Sequence, residues 1–521
     1  MSDTYPIRHA RHRSRPAMPT AGWLTWLVTL AVAALGGLLR FVRLGEPRAV
    51  VFDETYYVKD AWTMLNTGEP RNWPETMDWH GQAVNPNVAF AAGDTDHWLP
   101  SAEYVVHPPF GKWLIAWGMQ LFGGASNPAA WRAATAIAGT VAIIILMRAV
   151  LRLWHDLPIA ALGGVLMAID GVGITMSRTG LLDVFIMVLA LGAFQLLLMH
   201  RDWAHGRLER ARAAGAARAP RIWLSWCRVG AAVLLGLATG VKWSGTYFLA
   251  VFCAISVLWD AWMRRQAGFD GWFLRGVLGD GALTALYMLP IYALTYLATW
   301  TGWFLHTDSY MHDWARLHPG EGISWLPETL RSFVQYHAQM WQFHTTLDTP
   351  HDYQANPLTW PLQIRPTSFY WEKLEGHPGL CSLAPDSQCV AAVTSLGNPL
   401  IWWLGTLCAV AAIVIAIAQR GDWRIWAVLA GFLGGWLPWA QYLNRTTFTF
   451  YSIVLLPWMI LAICYVCNWI RETCDPGLFN GVVWGIGIVC GIMSLYFYPI
   501  WTAMPVPYDF WLSHMWLRSW I

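Results

Sequence analysis

Long apolar runs recur along this chain, and they constrain its fold more than any other feature. A helix of about 20 apolar residues spans a bilayer. The chain is 56% hydrophobic and only 13% charged, which excludes an ordinary soluble protein. We therefore predict an all-α polytopic membrane protein with about eleven transmembrane helices. The predicted spans are residues 21–39, 129–151, 157–175, 181–198, 229–240, 243–263, 277–298, 399–418, 425–442, 449–470 and 481–498.

Basic residues indicate the orientation of these spans. Arg8–Arg15 is a basic segment just before the first run, and by the order of spans the arginine-rich stretches 201–221, 264–265 and 419–420 fall on the same side. Short cytoplasmic loops carry an excess of Lys and Arg. We expect residues 1–20 to form a cytoplasmic basic tail, and the first run to be a retained helix rather than a signal peptide. Residues 21–521 would then form a single transmembrane domain in the plasma membrane.

Two long polar loops, residues 44–111 and 301–398, fall on the predicted outer side. Loops of this length are usually functional or disordered, and their many aromatic residues argue against disorder. Within the second loop, residues 327–346 place apolar and aromatic side chains at helical spacing, which predicts an amphipathic helix on the membrane surface. Cys381 and Cys389 also lie in this loop and are candidates for a disulfide in an oxidising compartment.

Two adjacent carboxylates, Asp53 and Glu54, directly follow the first helix. Ionisable residues that border spans are candidate site residues by default. Because adjacent residues do not share a helix face, we expect one carboxylate to face the reaction and the other to hold structure. A helix cap or a surface charge is the simpler alternative for this pair.

Several further ionisable residues border spans on the same outer side. Each cation among them could be a snorkelling anchor by itself. Cations on the outer side run against the positive-inside tendency, however. Taken together they indicate an anionic ligand more strongly than any one of them does alone. Lys and Arg bind phosphate by charge, which suggests a lipid-linked phosphate whose headgroup reacts. The candidate residues are His107, Lys112, Arg178, Asp183, Lys242 and Arg445.

At this point an ordered set of motifs resembles a known family. The motifs are FDETYY after the first helix, HPPFGK, SRTGLLD, VKWSG, and YHAQMWQFHTTL followed by RPTSFYWE in the second loop. Together they resemble the protein O-mannosyltransferases, multi-spanning enzymes of the C-type glycosyltransferase (GT-C) fold. The second loop leaves no room for the β-trefoil repeats of fungal and animal members, so the chain looks like the bacterial, especially actinobacterial, branch.

The resemblance implies an activity and roles for the candidate residues. It implies transfer of mannose from polyprenyl-phosphate mannose to Ser or Thr of proteins crossing the membrane. Asp53 would be the general base and Glu54 its support, and inversion at the anomeric carbon is the expected outcome. The implied partners are the donor lipid, protein acceptors, the bilayer and a secretion channel, with no nucleic acid. Candidate acceptor or loop contacts are Tyr56, His337, His344 and Arg365.

No cofactor is expected if the cations neutralise the phosphate, although a divalent ion at Asp53 and Glu54 stays open because hard cations favour carboxylate oxygens. His337, His344 and His351 recur every seven residues. That spacing separates neighbours by two helical turns, about 10 Å, which is too far for one metal ion. Two rival functions remain: transfer to a lipid or cell-wall glycan acceptor, and transport of a lipid-linked sugar. Charges clustered at one boundary rather than at the bilayer midplane favour surface chemistry over transport.

Overall fold

Helices make up most of the molecule. The computed structural model describes residues 22–419 and 422–521, so the predicted basic tail, and Arg420 with it, lie outside the described residues. The helices are α1 (Gly22–Phe41), α2 (Glu54–Thr67), α3 (Pro86–Ala91), α4 (Phe110–Phe122), α5 (Pro128–Trp154), α6 (Leu157–Ile169), α7 (Gly171–Ser177), α8 (Asp183–Ala213), α9 (Trp226–Val241), α10 (Gly245–Gln266), α11 (Ala282–Thr299), α12 (Thr301–Leu305), α13 (Trp314–Leu317), α14 (Glu328–Thr346), α15 (Pro399–Gln419), α16 (Arg424–Gly435), α17 (Leu456–Thr473), α18 (Pro476–Trp501) and α19 (Tyr508–Ser513).

The apolar helices confirm a multi-pass membrane protein, but they do not confirm the predicted count of eleven. In the part of the chain that the structure describes, eight helices are long and apolar enough to cross a membrane, or nine if the bent pair α6 and α7 is one span. Helix α9 is apolar but shorter. The predicted span 425–442 divides into α16 and a 3-10 turn, Leu437–Gln441, because Pro438 lies in the first turn of the second piece.

The break between α6 and α7 brings a polar turn into the bundle. Asp170 ends α6 and caps α7, since its carboxylate accepts a hydrogen bond from the Gly173 N–H at 2.9 Å. The same carboxylate accepts bonds from the Asn398 N–H at 3.0 Å and the Trp402 indole at 2.9 Å. These bonds satisfy the buried backbone that a bent span exposes. They also fix the start of α15 against the segment that leads to Arg178.

The two long loops gather at one end of the bundle and carry small sheets that the sequence does not predict. The first loop contains an antiparallel hairpin of β1 (Met77–Trp79) and β2 (Gln82–Val84). The second contains β3 (Thr367–Leu374) and β4 (Cys389–Ser395), and β5 (Val506–Pro507) extends this antiparallel sheet in the order β3-β4-β5. A disulfide joins Cys381 and Cys389.

Helix α14 confirms the predicted helix of the second loop, but its apolar face packs on protein. Phe333, Tyr336 and Met340 are buried in a cluster with Trp300 and Trp303. The Tyr336 hydroxyl also bonds to the Val105 backbone of the first loop. Helix α14 therefore joins the two loops. This contact fixes the position of the α14 residues that line the cavity described next.

Candidate active site

A cavity of about 380 Å³ opens at the end of the bundle that carries the long loops. Its walls come from α10, α11, α14, the end of α16 and the segment that follows α16. Aromatic residues supply much of the surface, and a few ionisable groups converge on it, as is typical of a small-molecule site. Among the predicted site residues, those that line the cavity are His107, Asp183, Lys242, His337, His344 and Arg445.

Asp53 is not one of the residues that line the cavity, but it lies close enough to Lys242 and Asp183 in the cavity wall for both charges to act on it. Its backbone carbonyl starts α2 by accepting hydrogen bonds from the Tyr56 and Tyr57 N–H groups, while its side chain makes no capping bond. Burial raises the pKa of Asp53 to about 6, the nearby Lys242 ammonium lowers it and the Asp183 carboxylate raises it further. A carboxylate with a raised pKa and a free side chain is suited to accept a proton near neutral pH.

Glu54, the carboxylate expected to support Asp53 in the predicted catalytic pair, is held in structural contacts. It is fully buried, and both of its oxygens are engaged. Arg132 donates from Nε to Oε1 at 2.8 Å and from Nη2 to Oε2 at 2.9 Å. Oε1 also accepts the Gly180 N–H at 2.7 Å, and Oε2 accepts the Val51 N–H at 3.0 Å. With four donors on two oxygens, Glu54 has no lone pair directed at a substrate.

Lys112, predicted to bind phosphate, does not line the cavity and forms an ion pair with a carboxylate of α2. Its Nζ lies 2.8 Å from Oδ2 of Asp60, and both side chains are buried. Burial and the charge of Asp60 raise the pKa of Glu103, a neighbouring carboxyl. A protonated Glu103 can donate to Asp60, whose Oδ1 otherwise has no partner among the described residues. Lys112 therefore balances charge beneath the first loop.

Arg178, also predicted to bind phosphate, binds the backbone at the end of α1 and just after it. Its guanidinium donates to the backbone carbonyls of Arg40 at 2.8 Å, Val42 at 2.6 Å and Arg43 at 2.8 Å. The side chain is almost completely buried and is not part of the cavity wall. These bonds fix the direction in which the chain leaves α1 and enters the turn that carries Asp53.

Lys242 and Asp183 form an ion pair in the cavity wall. The Lys242 Nζ donates to Asp183 Oδ2 at 2.7 Å. The ammonium also lies over the ring of Tyr451, 4.9 Å from its centroid. Lys242 caps the C-terminus of α9 and Asp183 is the first residue of α8, so the ion pair joins the ends of these two helices. The pair is close to neutral as a unit, because each charge compensates the other.

Arg445 lines the cavity and contacts backbone carbonyls, an imidazole and the ring of Trp439, whose centroid is 5.9 Å from the guanidinium carbon. Its Nε donates to the His344 carbonyl at 2.9 Å, and one Nη donates to the Thr446 carbonyl at 3.1 Å. The other Nη lies 3.4 Å from Nδ1 of His344. No carboxylate of residues 22–419 or 422–521 forms an ion pair with this guanidinium. Arg445 therefore supplies a positive charge that the described structure leaves uncompensated.

Two neutral histidines stand beside Arg445. His344 donates from Nε2 to the Val106 carbonyl at 2.7 Å, and burial lowers its pKa to about 4. The ring of His107 stacks on His344 with centroids 5.1 Å apart. Burial and the charge of Lys242 lower the pKa of His107 well below its usual range. Neither ring carries a charge at neutral pH, so both can donate or accept hydrogen bonds without adding charge.

The remaining predicted contacts divide between the cavity and the surface. His337 lines the cavity and is held by the Tyr296 hydroxyl at 2.7 Å. Tyr56 is 58% exposed one turn after Asp53, where an incoming chain can reach it. Arg365 is not a cavity residue. It donates to the backbone carbonyls of Asp352, Ser519 and Ile521 and so ties the second loop to the C-terminus.

Two partners at this site are absent from the sequence predictions. Arg132 lies inside the predicted span 129–151, and a charge inside a span is a site candidate by default, so that signal was present in the sequence. Asp60 follows Asp53 by seven residues, which places both on one helix face. Neither signal reveals the partner, because the pairs Arg132–Glu54 and Lys112–Asp60 are distant in sequence and meet only in the folded chain.

Comparison with known proteins agrees with this architecture. The family described as dolichyl-phosphate-mannose-protein mannosyltransferase matches residues 76–306, and the C-terminal four TMM region of protein-O-mannosyltransferase matches residues 329–520. A polyprenol-phosphate-mannose--protein mannosyltransferase of Mycolicibacterium smegmatis is 32% identical over 515 residues, covering 95% of this chain and 93% of the relative. One of Mycobacterium tuberculosis is 32% identical over 522 residues, covering 95% of this chain and 92% of the relative.

A solved structure shares the fold over almost the whole chain. The Saccharomyces cerevisiae protein O-mannosyltransferase Pmt1-Pmt2 complex, bound to the sugar donor, matches with a TM-score of 0.71 at 14% identity and covers 96% of this chain and 93% of that chain. The family models and the relatives thus define a multi-pass membrane glycosyltransferase, and the fold is of the GT-C type. The chain belongs to the protein O-mannosyltransferase family, and over nearly its full length it is similar to the actinobacterial members.

Proposed function

We propose that this protein transfers mannose from polyprenyl-phosphate mannose to Ser and Thr hydroxyls of proteins, and that the cavity is where the transfer occurs. One observation carries the proposal: Arg445 is an uncompensated guanidinium in the wall of an aromatic cavity, and the raised-pKa carboxylate of Asp53 lies within reach of the Lys242 and Asp183 charges in the same wall. A lipid-phosphate sugar needs these two groups, one for the departing phosphate and one for the incoming hydroxyl. The printed names of the relatives support this donor and this kind of acceptor.

Arg445 is the residue we propose for the donor phosphate. Lys242 is already neutralised by Asp183 at 2.7 Å, so it adds little net charge. The Arg445 guanidinium has donors to spare, and arginine binds phosphate in a forked, charge-assisted geometry. His107 offers a further polar atom, since its buried Nδ1 has no partner among the described residues. Preorganised charge at this point stabilises the phosphate as it leaves.

Asp53 is the residue we propose as general base for the acceptor hydroxyl, a role worth typically ~10²–10⁴-fold in rate. A double displacement needs a second carboxylate as nucleophile, together with an acid/base partner. The other carboxylates near the cavity are committed, Glu54 to Arg132 and Asp183 to Lys242. We therefore propose a single displacement with inversion at the anomeric carbon.

We propose that the reaction needs no divalent ion and no cofactor. A metal held jointly by Asp53 and Glu54 would need free oxygens on both, and Glu54 has each oxygen occupied by two donors. Hard cations bind carboxylates through such free oxygens. Arg445 instead supplies the positive charge that a metal would bring to the phosphate.

We propose that the cavity faces away from the cytoplasm, in the plasma membrane, with a cytoplasmic N-terminus. Helix α8 supports this orientation, because Asp183 at its start lines the cavity while Arg210 and Arg212 occupy its last turn. Clustered arginines mark the cytoplasmic end of a span. An outward cavity suits acceptor chains that have just crossed the membrane, so a secretion channel is the expected neighbour.

The test is transfer by the purified protein in liposomes from polyprenyl-phosphate radiolabelled mannose to a Ser/Thr-rich peptide. A matched peptide with Ala at every Ser and Thr is the control, and nuclear magnetic resonance of the glycopeptide gives its anomeric configuration. We expect label on the Ser/Thr peptide only, with the donor's configuration inverted. Label found only on lipid or glycan acceptors would refute the protein acceptor, and a retained configuration would refute the single displacement.

A further inference from the structure

The turn that carries Asp53 contains a residue in an unusual backbone conformation. Phe52 has a φ of +47°, and Asp53 follows with a φ of −69° and a ψ of −4°. The Glu54 N–H closes the turn on the Val51 carbonyl at 2.9 Å. These signs match a type II′ turn, in which the first central position favours glycine. A phenylalanine there is strained, so something outside the turn must hold it.

Three phenylalanines from distant parts of the chain hold the Phe52 ring. Phe369 stacks on it with centroids 5.1 Å apart. Phe448 and Phe450 meet it edge-on at 5.5 Å and 5.6 Å. We name these four rings the phenylalanine clasp. Phe369 belongs to β3 in the second loop, whereas Phe448 and Phe450 lie just after Arg445.

Asp53 is thus fixed from both sides. The clasp holds the residue before it, and the Glu54 ion pair with Arg132 holds the residue after it. The Asp53 side chain itself makes no capping bond, so its direction depends on these neighbours. Without the ring contacts, Phe52 could relax to an ordinary negative φ, and that change would turn the carboxylate away from its present direction.

We propose that Phe52 is a positioning residue, which acts through the phenylalanine clasp to direct the Asp53 carboxylate at the acceptor hydroxyl. The inference rests on the proposed role of Asp53 as general base. Phe448 of the clasp is three residues from Arg445. The clasp therefore also links the position of the proposed base to that of the proposed phosphate-binding residue. A misplacement of about 1 Å at a reacting group can cost on the order of 100-fold in rate.

The test compares Phe52→Leu and Phe369→Leu with Phe510→Leu. Phe510 is a matched control, a half-buried phenylalanine that packs on Tyr496 and His514 rather than on the clasp. We expect both clasp variants to lower kcat about ten-fold or more while the KM for donor changes less than about two-fold. Phe510→Leu should retain the wild-type kcat. Phe52→Gly removes the ring but adopts a positive φ without strain, so we expect it to retain more of the wild-type kcat than Phe52→Leu.

A double variant separates positioning from a general loss of structure. In the Asp53→Asn background, Phe52→Leu should cause no further loss of the residual transfer, because the group that it directs is already gone. Losses that multiply, or a Phe52→Leu protein with wild-type kcat beside an inactive Asp53→Asn protein, would overturn the role of Phe52 alone. Full transfer by Asp53→Asn would instead refute the base assignment from which the inference starts.

Discussion

Glu54→Gln and Asp53→Asn each replace a carboxylate by an amide at adjacent residues. We expect the first to lower the stability of the protein and the second to lower the rate of transfer. The buried Glu54 carboxylate accepts four hydrogen bonds, two of them from Arg132. The amide of Gln keeps one accepting oxygen and turns an NH₂ group toward the other two donors. Loss of one partner from a buried ion pair typically costs about 3–5 kcal/mol. That is a large share of the roughly 5–15 kcal/mol that stabilises a folded protein.

Asp53→Asn removes a base whose side chain caps nothing, so we expect it to leave stability unchanged. The loss of a general base lowers the rate by about 10²–10⁴-fold, which corresponds to about 3–5 kcal/mol in the activation barrier. Thermal unfolding of the purified variants, followed by Trp fluorescence, and transfer by the folded fraction together separate the two effects. The reasoning is refuted if Glu54→Gln unfolds like the wild type and is inactive, while Asp53→Asn is active.

Three further predictions concern the site. Because Asp53 must be ionised to act and burial raises its pKa to about 6, kcat/KM should fall as pH drops below about 6; a limb near the ordinary carboxylate value of about 4 would contradict this. Arg445→Gln should raise the KM for the donor by about ten-fold or more, as expected for a lost charge-assisted bond, and leave the KM for the peptide alone; an unchanged donor KM would move the phosphate elsewhere. Lys112→Met should lower the unfolding temperature, because Asp60 loses its buried partner, with no change in the donor KM; a higher donor KM would return Lys112 to the phosphate site.

The sequence predicts the helical segments well because apolar composition is a local property. The helical spacing of residues 327–346 predicts a helix, and α14 spans Glu328–Thr346. The strands are harder to predict. Cys389–Ser395 is a short buried strand with small and apolar residues, and such a run has no period that distinguishes it from the start of the next span.

The sequence locates the charges of the site but not their partners. Lys112, Arg178 and Lys242 are all cations that border predicted spans, yet the fold gives them three different surroundings. Arg178 reaches the Arg40 carbonyl across 138 residues, whereas Lys242 meets Asp183 across 59. Local patterns cannot show whether a cation is already neutralised. Only the fold shows that Arg445 lies in the cavity wall, whereas Arg178, which also donates to backbone carbonyls, does not.

The most direct test of the account measures donor binding and transfer separately in one preparation. Wild type, Asp53→Asn and Arg445→Gln are each titrated with polyprenyl-phosphate mannose for Kd, and a single turnover is then started with the Ser/Thr peptide. We predict that Asp53→Asn binds the donor like the wild type but transfers at least about 100-fold more slowly, and that Arg445→Gln binds the donor weakly. Wild-type transfer by Asp53→Asn, or wild-type donor affinity in Arg445→Gln, would contradict the proposed division of roles at this cavity.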